Sequence, residues 1–330
     1  MSFIKNIWQP DLFHGANKKD NYFEGWFFKL VNRNKDSTFA IIPGIFISKD
    51  VKKHHAFIQI LDARNHESYY IKYKASDFHF SKNKFEVTIG SNFFSNEKIE
   101  IEIMRKEIEI NGKIRFEDIK PWPVKLFSPG IMGWYSFVPF MECNHGVVSL
   151  NHILKGSLSV NNELISFEKG KGYIEKDWGS SFPSSYVWLQ ANNFEDESVC
   201  ITGSVAKIPW FGNWFRGFIF GLLINDNLYR FTTYNHSRLV SIKLNDNFVE
   251  IELANKNHIL KLKAEKAQST KLHAPYDNEM LQRVSESLDA KIEVLLINKS
   301  NKEILFEGIG TNAGLEINGN LSEIIDNKTA

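Results

Sequence analysis

Period-2 alternation runs through most of this chain and limits what it can fold into. Ile99-Glu100-Ile101-Glu102-Ile103 puts isoleucines on one side of an extended backbone and glutamates on the other, a separation that an extended strand makes and a helix does not. Glu107-Ile108-Glu109-Ile110 repeats the pattern. Residues 249–253 and 259–263 read as a hairpin around Asn255-Lys256-Asn257, and 291–297 with 303–309 as another through Asn298-Lys299-Ser300-Asn301. Similar runs occupy 22–30, 39–47, 56–61, 69–73, 85–89, 147–153 and 186–192. Strands with one apolar and one wet face predict antiparallel sheet. One stretch departs: Asp277-Asn278-Glu279 opens a run with Met280, Leu281, Val284 and Leu288 at helical spacing. With Asp277 as cap, this predicts one short helix near 277–288. Many short strands and almost no helix predict an all-β fold of sandwich or barrel type.

The stretch 121–139 is rich in Pro, Gly and rings and poor in alternation, so it reads as a long connection. Alternation resumes near Val147, and Gly170-Lys171-Gly172 punctuates the chain before a second set of strands. These signals place a boundary near 165, giving β domains at 1–165 and 166–330, with no internal repeat by residue identity. The balance of 40 Lys+Arg against 39 Asp+Glu gives no electrostatic reason for a nucleic-acid partner. Aromatic residues make up 14%, suited to thick β cores or a cavity lined with rings. Cys143 and Cys200 are too few for a disulfide framework and lack zinc-type spacing, which predicts reduced, inert thiols in a cytosolic, non-secreted protein. The opening residues 1–11 hold no basic stretch leading into an apolar run, so no signal peptide is expected. Nor does any apolar run reach the roughly 20 residues of a spanning helix.

Three segments carry chemistry. In Tyr22-Phe23-Glu24-Gly25-Trp26-Phe27-Phe28, a strand puts Tyr22, Glu24, Trp26 and Phe28 on one face. A carboxyl among rings is costly to ionise, so Glu24 either holds its proton and serves as an acid or pairs with a Lys or Arg. In Gly172-Tyr173-Ile174-Glu175-Lys176-Asp177-Trp178-Gly179, Tyr173, Glu175 and Asp177 share a face opposite Ile174, Lys176 and Trp178. Carboxylates at i and i+2 repel when both ionise, so either one keeps a proton or the two lie on a solvated acidic face. In Tyr186-Val187-Trp188-Leu189-Gln190-Ala191-Asn192, two rings and two amides on one face suit a ligand wall; an outward polar face is the alternative. The histidines show no H-x-H or H-E-x-x-H, and no metal site is expected. His145 and His152 read as turn and strand-end residues. Aromatic clusters at 209–218 and at Trp122, Phe127, Trp134, Tyr135, Phe137 and Phe140 suit core packing or peripheral membrane contact.

On these residues the sequence resembles the tocopherol cyclase family. The carriers are Tyr22 to Lys29, Asn144-His145-Gly146-Val147-Val148-Ser149, Gly170 through Pro183 running on to Trp188-Leu189-Gln190-Ala191-Asn192, and Gly308 through Gly319. The resemblance implies paired lipocalin-like β barrels related to those of carotenoid hydratases, and cofactor-free closure of a prenylated hydroquinone to a chromanol. Unlike in plant members, no plastid transit segment is expected, and the Lys-, Asn- and Ile-rich composition resembles that of an AT-rich bacterial genome. Such chemistry needs an acid to protonate an alkene, rings to stabilise the cation and an acceptor for the phenol proton. Glu24, Glu175 and Asp177 are the candidate acids and bases. Tyr22, Trp26, Tyr173, Trp178, Tyr186 and Trp188 are the candidate ring contacts, and Gln190 and Asn192 the groups to hold quinol oxygens. The rival readings are a non-catalytic lipocalin-like binder of a hydrophobic prenyl ligand and an isoprenoid hydratase or isomerase.

Overall fold

The computed structural model describes residues 6–325, so the first five residues of the opening stretch read above lie outside the described residues. Contacts divide the chain into two units. The first runs to Phe182 and takes in a returning arm, Lys271–Arg283; the second comprises Pro183–Thr270 and the chain from Val284 on.

The strands of the first unit are β1 (Tyr22–Val31), β2 (Thr38–Ile47), β3 (His55–Asp62), β4 (Glu67–Lys74), β5 (Phe78–Phe80), β6 (Glu86–Ile89), β7 (Asn92–Ser95), β8 (Lys98–Met104), β9 (Glu109–Lys120), β10 (Val124–Lys125), β11 (Ser128–Pro129), β12 (Cys143–Val160), β13 (Glu163–Ser166) and β14 (Gly170–Gly179). They pair in the order β4-β3-β2-β1-β14-β12-β9-β8-β7-β6-β5, with β13 on β12 and β10-β11 as a separate hairpin. The path curls until β3 meets β6, a nearly closed barrel. Its inner face buries Trp26, Phe28, Phe85, Phe94 and Phe116 in one cluster. Trp26 stacks on Phe85 at 5.3 Å between centroids, and Phe28 lies 5.9 Å from Phe94. Here the rings pack on one another as core.

The second unit is built from β15 (Tyr186–Ala191), β16 (Cys200–Trp210), β17 (Asn213–Ile224), β18 (Asn227–Thr232), β19 (Arg238–Leu244), β20 (Phe248–Ala254), β21 (His258–Glu265), β24 (Ile304–Asn318) and the part of β23 (Glu279–Asn298) from Val284 on, while β22 (Thr270–Tyr276) and the start of β23 make up the arm. Their order is β18-β17-β16-β15-β24-β23-β21-β20-β19, with β22 on β23. In both sheets the first strand pairs with the last, β1 with β14 and β15 with β24. The repeat that residue identity did not reveal is one of topology.

Two expectations need correction. The boundary near 165 falls inside β13, which pairs with β12, and β14 is central to the first sheet. Gly170 and Gly172 do not punctuate the chain but sit within β14, where small residues admit close neighbours: a Cβ on Gly172 would collide with the His152 ring, and one on Gly170 with the Val31 carbonyl. The helix near 277–288 is instead a β hairpin. Asp277 and Asn278 both take left-handed φ, 45° and 61°, the geometry of a two-residue type I′ turn, and β23 follows directly. The remaining all-β reading holds, with short 3-10 turns such as Gly15–Asn17 and Gly133–Phe137.

Candidate functional site

The two faces of β14 carry two different constellations. Register places Trp26 opposite Lys176, Glu24 opposite Trp178, Gly25 opposite Asp177 and Phe27 opposite Glu175. Alternation therefore sends Glu24 with Lys176 to the barrel interior and Glu175 with Asp177 to the other face. The three proposed carboxylic acids do not face one ligand.

On the interior face Glu24 is fully buried. Its carboxylate accepts backbone N–H bonds from His14 at 3.0 Å to each oxygen and from Gly15 at 3.0 Å, and a bond from the Tyr22 hydroxyl. The Lys176 ammonium lies 2.6 Å from Oε1, equally buried. Lys176 also donates to the Leu12 carbonyl and to His14 Nδ1 at 2.7 Å, so all three ammonium protons have acceptors. The ammonium sits 4.4 Å from the Trp178 ring centre and 5.1 Å from that of Trp26, and His14 stacks on Trp178 at 4.5 Å. Burial pushes the Glu24 carboxyl up, but the Lys176 charge and the His14 contacts outweigh it and hold it below its ordinary value. Burial drives Lys176 down against the pull of Glu24. Glu24 is thus an anion in a saturated ion pair that pins residues 12–15, not a protonated acid. The competing reading, pairing with a lysine, is the one the structure bears out. Tyr22, Trp26 and Trp178 serve the same network, with the lysine as the cation on the two indoles.

The opposite face joins β14 to β12. His145 pairs with Asp177 across the strands, and Val147 with Glu175. His145 Nδ1 lies 2.9 Å from Asp177 Oδ1, and its Nε2 lies 3.5 Å from Glu175 Oε2. The Tyr173 hydroxyl donates to Glu175 Oε2 at 2.5 Å. Tyr173 and Glu175 are buried, whereas the Asp177 side chain is 26% exposed. Beside Asp177 the floor is Gly25, itself opposite Gly44 on β2. Phe23, Phe46 and Phe57 wall this face in one buried cluster. Cys143 packs against that cluster, and its thiol is pushed well up by burial and by the Asp177, Glu142 and Glu175 charges, an inert group as expected.

His145 is the residue the sequence reading missed. A signal existed: Cys143, His145 and Val147 alternate with Asn144 and Gly146 into the run after 147. His145, Glu175 and Asp177 also bring one ligand-type atom each within 4.8 Å of one another, a grouping across strands that a search of close spacings does not find. The His145–Asp177 hydrogen bond and the longer His145–Glu175 contact hold the three together.

In the second unit Tyr186, Trp188, Gln190 and Asn192 lie on the face away from the core, while Val187, Leu189 and Ala191 enter it. All four are buried, so an outward face with exposed rings is ruled out. The Tyr186 hydroxyl donates to Glu316 Oε2 at 2.6 Å, and Glu316 lies opposite Trp188.

Comparison with known proteins bears on these faces. Residues 109–319 match the family model described as tocopherol cyclase-like, a span that includes His145, Glu175, Asp177 and β15. The chain is 23% identical over 197 residues to the chloroplastic tocopherol cyclase of Zea mays, covering 57% of this chain and 41% of that protein. It is 27% identical over 148 residues to the probable chloroplastic tocopherol cyclase of Oryza sativa subsp. japonica, covering 43% and 31%. It therefore spans less than half the length of these relatives. Among solved structures, CghA with Sch210972 superposes with a TM-score of 0.57 at 8% identity, over 90% of this chain and 88% of that one. Kievitone hydratase from Nectria haematococca gives 0.51 at 12% identity, over 93% and 94%. At such identities the likeness is one of fold.

Proposed function

The chain belongs to the tocopherol cyclase-like family, and on that footing we propose that it closes a prenylated hydroquinone to a chromanol by acid catalysis at Asp177. The observation that carries this reading is the His145 ring held between Asp177 and Glu175 beside the Gly25 floor. Carboxyl groups stand at both ring nitrogens, so the imidazole can hold or pass a proton at either end. Asp177, the more open carboxyl, delivers its proton to the less substituted alkene carbon and leaves a tertiary cation on the other. The phenol oxygen attacks that cation, and the Asp177 carboxylate takes the phenol proton. The product is an isomer of the substrate, so protons are all that the side chains must move, and the reaction needs no cofactor. Glu175, fixed by Tyr173, orients the imidazole. The partner is then a hydrophobic prenyl molecule; within the second unit, Tyr186, Trp188, Gln190 and Asn192 form a candidate ligand face of their own.

Incubation with a panel of prenylated quinols in D₂O tests this. A chromanol bearing one carbon-bound deuterium supports alkene protonation. Asp177→Asn should lower kcat on the order of 10²–10⁴-fold with quinol affinity retained. Because Asp177 is partly exposed, water can reach the same acid, and hydration of an isoprenoid alkene is the second reading; a product heavier by one water identifies it. Binding without conversion of any quinol or isoprenoid alkene leaves the binder reading.

A further inference from the structure

The connection between β9 and β12 presents a surface that the chemistry above does not use. Residues 121–140 hold one charged side chain, Lys125, and no carboxylate, in a chain that is 24% charged. The two-residue tip of the β10-β11 hairpin exposes Leu126 at 66% and Phe127 at 82%. Trp134, Phe137 and Phe140 are exposed beside it in sequence. Large exposed apolar side chains grouped in this way mark an interaction surface.

The segment is built rather than loose. Trp8 donates its indole N–H to the Leu126 carbonyl at 3.0 Å and packs edge-on against Phe137 at 5.5 Å, tying the tip to the Gly133–Phe137 turn. Ser136 donates to the Pro129 carbonyl at 3.1 Å, and Trp134 stacks on Tyr135 at 4.1 Å. A tip that enters hydrocarbon must have its backbone groups satisfied, and the bond from Trp8 does this for Leu126. Trp and Tyr beside a lysine are the side chains of a membrane–water interface. With one lysine and no carboxylate, the segment lacks the polar rim of a protein interface.

We propose that residues 121–140 dock this protein on a phospholipid bilayer, with Leu126 and Phe127 entering the headgroup region. Docking does not depend on the cyclase reading and is measured without turnover. The test is co-sedimentation of the full chain with phosphatidylcholine vesicles, with and without one third phosphatidylglycerol. Binding to both is expected, strengthened about fivefold or less by the anionic lipid, since one lysine is worth about that much. Leu126→Asp/Phe127→Asp should weaken binding by roughly tenfold or more at an unchanged Tm, because both side chains are exposed. Quenching by brominated lipid should be lost in part in Trp134→Phe. The Trp210–Phe215 hairpin, where membrane contact was expected from sequence, exposes Phe211 and provides the counter-test through Phe211→Asp. No vesicle binding, binding indifferent to the tip variant, binding lost only in Phe211→Asp, or a self-associated form dissolved by the tip variant would each overturn the proposal.

Discussion

Glu24→Gln separates a structural carboxylate from a catalytic one. The substitution keeps shape and removes charge from a group that is fully buried and lies 2.6 Å from an equally buried ammonium. Breaking one side of such a pair costs about 3–5 kcal/mol, because the other charge stays buried without compensation. For a unit of this size, about 2–4 °C accompanies each kcal/mol, so Tm should fall by roughly 6–20 °C. Lys176→Met should cost a similar amount. The double variant should lose clearly less than the two single losses combined, since neither charge is then stranded. Chemical denaturation of all four proteins measures the cycle, and turnover per folded molecule should not change. The pH dependence has a definite sign. Glu24 is lowered from 4.5, so its contribution is complete above that value and is lost as pH falls through its lower folded value. His14, lowered from 6.5 by burial and then by Lys176, adds to acid destabilisation below 6.5, because the folded state resists its protonation. Glu24→Gln should flatten this acid limb. A variant that melts like the parent yet has lost turnover would refute the structural reading and restore Glu24 as an acid.

Tyr173→Phe removes the hydroxyl that donates to Glu175; we expect a loss of about 1–3 kcal/mol and a fall in kcat beyond the folded fraction, read by paired melts and kinetics. Gly172→Ala drives a methyl into the His152 ring and should cost about 1–3 kcal/mol, with recovery in His152→Ala/Gly172→Ala. Gln59 accepts the His273 N–H at 2.8 Å and donates to its carbonyl at 3.3 Å. Gln59→Ala should raise hydrogen exchange across 271–283 while β12 and β14 stay protected.

The β architecture was legible wherever one strand face is wet, as at Ile99–Ile103 and 249–263. The hairpin at 277–288 was not, because spacings of four satisfy period 2 as well as a helix. Met280, Val284 and Leu288 lie on one side of an extended strand with Gln282 and Glu286 between them. The conformation of Asp277 and Asn278 decides the matter, and the residue types fit a helix cap equally well. The split of β14 into two faces followed from alternation alone. Its partners did not, since its pairing with β1 joins residues more than a hundred positions apart, and that with β12 reaches across β13. Even so, a lone Glu24 among rings and a lone Lys176 between Ile174 and Trp178 were complementary, and their pairing could have been read. His145 was hidden because a neighbouring glycine and asparagine resemble a turn.

Closing each sheet by its first and last strands has a consequence for biosynthesis. β1 ends at Val31, and the strand that covers its second edge begins at Gly170. At about 5–20 residues per second, that edge waits on the order of ten seconds behind the ribosome, flanked by Phe23, Trp26 and Phe28. β15 waits similarly for β24, and the arm 271–283 that completes the first unit emerges only after most of the second has been made. Pairings this distant in sequence form slowly. The nascent chain therefore carries an apolar strand edge open to capture by a neighbour, and its yield should depend on holdase chaperones more steeply than the stability of the finished sheets would suggest.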